Sequence, residues 1–158
     1  MKTALQFLIA LTLILTGCKE KLLEETTTTW PDGSKQKVSY YRVTGDKKDK
    51  VKEIRYYQSG KKEMEGEFAG GKKEGAWSSW FENGMKQSEG FFKNDMRNGK
   101  AIVYRENGFK YYEGTYSLGK LHGTWISYDT DGSRLKETLY EYDRKVKEID
   151  FKQNPAMR

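Results

Sequence analysis

Few residues in this sequence could carry chemistry, and their spacing limits what they could do. The chain of 158 residues holds one cysteine, Cys18, and one histidine, His122. One cysteine excludes an intrachain disulfide and a multi-cysteine zinc site. One histidine excludes a His-pair metal site and leaves histidine acid–base catalysis to a single residue. His122 falls in a polar, glycine-closed segment with no adjacent nucleophile, so it is expected to be an exposed turn residue. Glu65, Glu89, Glu113 and Glu137 recur every 24 residues. On successive hairpins they would stand ~10 Å apart, too far for one metal ion to bridge. Pairing with lysine or arginine across strands is the expectation for this column. No metal site, catalytic residue or small-molecule substrate is expected, and the chain is read as not an enzyme. Trp77 and Trp125 lie in phase, on strand positions opposite in direction to Trp80. On an open sheet face they would form an exposed aromatic patch; in the twist between hairpins they would be buried. With the turn lysines Lys72, Lys73 and Lys120 they make up the candidate binding face. Those lysines could meet anionic lipid, wall polymer or an acidic protein, or simply be solvated.

The charge points the same way. Lys and Arg number 29 against 23 Asp and Glu, a net +6 of mixed sign. That is not the surplus of a dedicated nucleic-acid binder, and no nucleic-acid partner is expected. Aromatics make up 14% of the chain, which argues against wholesale disorder.

The N-terminus reads as an address and an anchor. After Lys2, Ala4 to Leu15 is apolar except at Gln6 and Thr12. Twelve helical residues rise ~18 Å, short of the ~30 Å hydrocarbon core, so the run reads as a secretory signal and not a permanent span. It ends in Leu15-Thr16-Gly17-Cys18, which resembles the lipobox of bacterial lipoproteins. An ordinary signal peptide with an incidental Cys18 is the competing reading. The resemblance implies cleavage before Cys18, which would carry covalent diacylglycerol and an N-acyl (palmitate-type) chain, with no other cofactor. Two or three acyl chains would anchor it stably, where one binds only marginally. The implied location is the bacterial cell envelope. Lys19 in place of Asp after the cysteine points to the outer membrane if the cell has one, and otherwise to the outer face of the cell membrane. The expected division is 1–17 signal peptide, 18–25 lipidated cysteine and charged tether, 26–152 repeat domain and 153–158 tail.

The body repeats every 24 residues. Gly60, Gly84, Gly108 and Gly132 keep that spacing, as do Gly66, Gly90 and Gly114, and Gly75, Gly99 and Gly123. Aromatic columns run in phase: Tyr56, Trp80, Tyr104, Tyr128, and Phe68, Phe92, Tyr116, Tyr140. Such self-similarity marks a repeat architecture. Each unit reads as strand, tight turn, strand and longer polar connection. Asn83-Gly84 and Asn107-Gly108 favour hairpins; Lys93 to Gly99 is the connection of one unit. Gly66, Gly90 and Gly114 share a face with the second aromatic column. Glycine there leaves room for a neighbouring ring to lie flat on the backbone. A degenerate first unit carries about three extra residues near 45–50, and 146–151 reads as a closing strand. The fold expected is all-β: an elongated antiparallel sheet of tandem hairpins, each stabilised by its neighbours.

Gly66-Glu67-Phe68 through Gly75, Gly90-Phe91-Phe92 through Gly99 and Gly114-Thr115-Tyr116 through Gly123 resemble MORN repeats. The turn Tyr56-Tyr57-Gln58-Ser59-Gly60-Lys61 is closest to the bacterial variant, found in the YwqK-type antitoxin family and in lipoproteins. An extended sheet with repeated aromatics and mixed charge, tethered at one end, is expected to act as a membrane-anchored protein-binding module, and the YwqK-type resemblance implies one version of it, a toxin-neutralising partner. The alternative is a structural or scaffold lipoprotein that lies on anionic membrane or cell wall through its lysine-bearing turns.

Overall fold

The computed structural model describes residues 22–153. Eleven strands follow one another: β1 Leu23–Thr29, β2 Lys35–Thr44, β3 Lys47–Tyr56, β4 Lys62–Ala69, β5 Lys72–Trp80, β6 Lys86–Lys93, β7 Met96–Tyr104, β8 Lys110–Ser117, β9 Lys120–Tyr128, β10 Arg134–Glu141 and β11 Arg144–Asp150. They form one open sheet in sequence order, every neighbour antiparallel. The described residues contain no helix, as expected from glycines every few residues. The sheet is all-β and built of consecutive hairpins, as the sequence predicts.

Two kinds of turn alternate along the two ends of the strands. At one end lie five-residue turns: Tyr57–Lys61, Phe81–Met85, Arg105–Phe109 and Asp129–Ser133, with Trp30–Ser34 before them. In each, the first residue's N–H donates to the fifth residue's carbonyl and its carbonyl accepts from the glycine N–H. Neighbouring turns are tied together. Tyr57 Oη donates to the carbonyl of Trp80 at 2.8 Å, and Arg105 does the same to Tyr128 at 2.9 Å.

At the other end the turns are two residues long, which corrects the longer connection expected over 93–99. Asn94-Asp95 alone forms that turn, and β7 begins at Met96. Gly99 is not a loop closure. It sits inside β7 at φ 101°, in a bulge where Gly90 pairs with Ala101 but Phe92 with Arg97. A glycine in a strand-interior bulge looks the same in sequence as one that ends a loop. The first unit's extra residues make no loop either: β2 and β3 have ten residues each, where β4 has eight and β5 nine. Strand β1 takes in 23–25, which the sequence assigns to the tether.

The core is a row across the middle of one face. Ser39, Glu53, Trp77, Ala101, Trp125 and Thr138 are all buried on it. Trp77 and Trp125 are only 6% and 9% exposed, so neither is the open aromatic patch that the sequence allowed. Each indole lies over a neighbouring strand's glycine. A Cβ added at Gly66 would be 2.0 Å from Cδ2 of Trp77, and at Gly114 2.2 Å from Cδ2 of Trp125. The indole N–H groups donate to the carbonyls of Glu67 and Thr115 at 3.1 and 3.0 Å. The opposite face buries Val38, Ile54 and Ile102.

Candidate functional site

The glutamate column is a ladder of ion pairs. Glu65 is held by Lys52 and Lys62, and Glu89 by Lys86 at 2.7 Å. Glu113 meets Lys110 at 2.9 Å and Lys100 at 3.3 Å, and Glu137 meets Arg134 at 3.7 Å. The first aromatic column adds hydroxyls: Tyr104 donates to Glu89 at 2.9 Å and Tyr128 to Glu113 at 2.5 Å. Partial burial by itself would raise the pKa of Glu113. The Tyr128 hydroxyl and the two ammonium groups outweigh it and hold the carboxyl at about 2. Burial, with the charge of Glu113, pushes the Tyr128 phenol up to about 12. The column is thus a set of structural clamps, each closing its own hairpin against the next strand. Among the described residues no group of three or more His, Cys, Asp or Glu could hold a metal ion.

The second aromatic column stands on the indole face, interleaved with cations. Phe68 and Phe92 meet Trp77 edge-on, with centroids at 5.4 and 5.7 Å, and Tyr116 meets Trp125 at 4.9 Å. Lys73 Nζ stands 4.3 Å from the Trp77 ring centroid. The Arg97 guanidinium sits between Phe92 and Tyr116, at 5.3 and 5.5 Å. Lys73 is therefore part of this stack. Lys72 and Lys120 are exposed and open the strands that follow two of the short turns.

The row of short turns carries the most unusual local chemistry. Gly70-Gly71, Asn94-Asp95, Leu118-Gly119 and Tyr142-Asp143 all have φ > 0 at both positions. Paired positive φ is the two-residue hairpin geometry that favours Gly, Asn and Asp. Leu118 and Tyr142 occupy it at φ 50° and 49°, and they are 60% and 54% exposed. Each is a bulky side chain in a strained conformation with most of its surface in water, and Met96, 43% exposed, lies beside Gly119. The row is braced from below. Backbone N–H groups of Asp95, Gly119 and Asp143 donate to the carbonyls of Lys73, Arg97 and Leu121. Side chains of Glu74 and Asn98 accept from Asn94 N–H and Leu118 N–H at 2.9 and 3.3 Å.

His122 holds the same place one unit later, which corrects its reading as an exposed turn residue. It lies in β9, paired with Thr115, and its ring stacks on Tyr142 at 4.7 Å. Its Nδ1 is buried without a hydrogen-bond partner. The periodicity of Glu74, Asn98 and His122 was the signal for this bracing position. Leu118 and Tyr142 are functional candidates that sequence reading missed, because nothing in composition separates a strained turn from a relaxed one. Cys18 and its lipobox, Leu15, Thr16 and Gly17, lie outside the described residues, as does the tail from 154.

Residues 73–94 and 121–142 match the MORN repeat variant family. The two segments stand two periods apart and frame the unit that has Ala101 where the matched units have Trp77 and Trp125. No curated protein matches the chain. Among solved structures the chain is similar to TarM and to a point mutant of S. aureus TarM in complex with fondaparinux, alpha-GlcNAc-glycerol and UDP, at TM-scores of 0.33 and 0.34 and 11% and 12% identity. Each alignment covers 82% of this chain and 21% of the other, so the chain spans about a fifth of those solved chains. A likeness of that size carries no functional argument.

Proposed function

We propose that this chain, a MORN-repeat protein in its segments 73–94 and 121–142, is a non-enzymatic protein-binding module that meets its partner along the short-turn edge. The observation that carries the reading is the pair Leu118 and Tyr142. Local energetics there favour glycine or asparagine, and Gly70 and Asn94 obey that preference in the same row. A bulky residue at positive φ costs on the order of 1–3 kcal/mol, and such strain concentrates at functional positions. Exposed apolar side chains at these two positions, with Met96 beside the Leu118 turn, put apolar surface on this edge where a partner could bury it. The lipobox resemblance supplies the setting: a lipid on Cys18 would hold the sheet at the envelope membrane. A neutralising partner for an incoming toxin is the specific version drawn from the YwqK-type resemblance. The scaffold reading would rest on Lys72 and Lys120, exposed at the short-turn end, since Lys62, Lys86 and Lys110 at the other end are paired with glutamates of their own strands.

The test is capture. The full chain, extracted in detergent, is offered to an extract of its source cells, and the expected result is one stoichiometric protein. Leu118→Asn should raise stability by about 1 kcal/mol through relief of backbone strain, read in thermal melts, while weakening capture at least tenfold. Loss of stability with capture unchanged would sink the edge assignment. Cys18→Ser should move the protein from the membrane pellet to the soluble fraction. Continued pelleting would refute the lipid anchor.

A further inference from the structure

The row of rings on the indole face has a gap. Gly66 and Gly114 are each roofed by a tryptophan, but Gly90, at the same place in its unit, faces Ala101. A Cβ at Gly90 would find its nearest atoms, Ala101 Cβ and the Lys100 carbonyl, at 3.5 Å, in ordinary contact. A cavity of about 90 Å³ opens there, lined by Trp77, Ser79, Ser88, Gly90, Phe92 and Arg97 among others. The strand register sets its two ends. Ser79 and Ser88, paired across β5 and β6 with their hydroxyls 2.7 Å apart, stand towards the five-residue turns. Phe92 and Arg97, with Lys73, stand towards the short turns.

The slot differs from its filled neighbours at both ends. The residue two before the glycine is Met64 or Tyr112 in the filled units, and Tyr112 packs on Trp125 at 5.8 Å. In the empty unit it is Ser88, a hydrogen-bonding group. Among the described residues no carboxylate pairs with Lys73 or Arg97, which lie only against ring faces. Elsewhere on the sheet the glutamate ladder neutralises its lysines. A gap in a packed row of rings, with hydroxyls at one end and cations at the other, suits a ring that carries a polar tip. A ring here would add edge and face contacts to Trp77 and Phe92.

We propose that the slot over Gly90 receives a tyrosine side chain of a partner protein, with an acidic residue next to it in the partner's sequence. The phenol ring lies on the Gly90 backbone, its hydroxyl meets the Ser79–Ser88 pair, and the neighbouring carboxylate meets Lys73 and Arg97. The proposal rests on the protein-binding reading above and names the chemistry of the partner.

The test is a titration of the full chain followed at the Gly90 amide by nitrogen–proton NMR. The probes are the peptides acetyl-Asp-Tyr-Asp-amide, acetyl-Lys-Tyr-Lys-amide and acetyl-Asp-Phe-Asp-amide, and free 4-hydroxyphenylacetate. Saturable shifts at Gly90 are expected with Asp-Tyr-Asp, weakened at least tenfold by either peptide substitution and by Arg97→Ala. Ala101→Trp should abolish them by roofing the slot from within. Gly90→Ala, which meets only ordinary contacts, serves the same purpose should Ala101→Trp fail to fold. No saturable shift in the wild type, or undiminished binding in Gly90→Ala, would overturn the site. Binding of 4-hydroxyphenylacetate with the peptide silent would overturn the polypeptide assignment. Partner capture that survives both slot variants while Leu118→Asn abolishes it would refute this inference and leave the edge reading standing. Binding of Asp-Tyr-Asp at Gly90 with no partner captured would do the reverse.

Discussion

Gly114→Ala is expected to cost about 3 kcal/mol, whereas Gly90→Ala, the same substitution one repeat earlier, should cost nothing. Neither glycine has a positive φ, so backbone strain does not separate them. The difference is what each Cβ meets. At Gly114 it would stand 2.2 Å from Cδ2 and 2.4 Å from Cε2 of Trp125, atoms of a rigid ring already walled by Tyr112 and Tyr116. The indole must leave its slot, surrendering its burial and its bond to the Thr115 carbonyl. Overpacking of this kind costs about 1–3 kcal/mol, and full loss of a buried tryptophan about 3–5. At Gly90 the methyl enters ordinary contact, and replacing a strand-interior glycine gains ~0.5 kcal/mol. Gly66→Ala should behave as Gly114→Ala does, since its Cβ would be 2.0 Å from Trp77. The two positions of a slot are therefore coupled. Trp125→Ala alone should cost about 4 kcal/mol, but adding Gly114→Ala to it should cost nothing further. Trp125→Ala alone recreates the glycine–alanine pair that stands at Gly90 and Ala101, so the double variant corresponds to Gly90→Ala there. Urea unfolding of the four proteins measures the coupling, expected to exceed 2 kcal/mol. Equal destabilisation by Gly114→Ala and Gly90→Ala would refute the ring-on-glycine account.

That slot shows where sequence reading succeeds and where it stops. The glycine column at 66, 90 and 114 called for a neighbouring ring, which arrives at Gly66 and Gly114 but not at Gly90, and the 24-residue period located the strands. Alternation placed Trp77 and Trp125 opposite the Trp80 column, but it cannot say which face of a single sheet is covered. The rings lean sideways onto the next strand, and that lean is a property of χ angles, not of spacing. The gap itself was legible: the column Trp77, Ala101, Trp125 reads directly from the sequence once the roofing role is known. The strands next to the short turns were not legible. Lys93 to Gly99 is polar because both of its strand ends face water, and solvated strand and loop share that composition. Leu118 and Tyr142 could not be seen as strained without φ, because only the hairpin geometry makes leucine or tyrosine there costly.

The second large effect is on the acid side of the pH profile. Glu113 titrates at about 2 in the fold, against an ordinary value of 4.5. A carboxyl with a lowered folded pKa contributes stability that is present above 4.5 and is lost as the pH falls towards 2. Each pH unit of that difference is worth about 1.4 kcal/mol. Solvent reaches 15% of the side chain, so about 2–3 kcal/mol is the expected contribution at neutral pH. Glu65 and Glu89 are lowered in the same direction, each against a burial effect that opposes its lysines. At the alkaline end the sign reverses. Burial, aided by a glutamate neighbour, raises Tyr104 and Tyr128 to about 12. A raised phenol contributes stability that is present below about 10 and lost as the pH rises through 12. The ladder should therefore give a plateau from about pH 5 to pH 10 with a fall on either side. Glu113→Gln isolates the acid limb, because glutamine keeps the shape and can still accept from Tyr128. At pH 7 it should be about 2 kcal/mol less stable than the wild type in urea unfolding. At pH 2.5, where the wild-type carboxylate is itself taking up its proton, the gap should close to less than half. A gap that stayed constant with pH would mean that Glu113 acts through packing alone. Because the same clamp recurs at Glu65 and Glu89, the acid limb should also be steep, with several hairpins loosening over one narrow range. Shallow, sequential loss would instead show that each clamp closes its own hairpin independently of its neighbours.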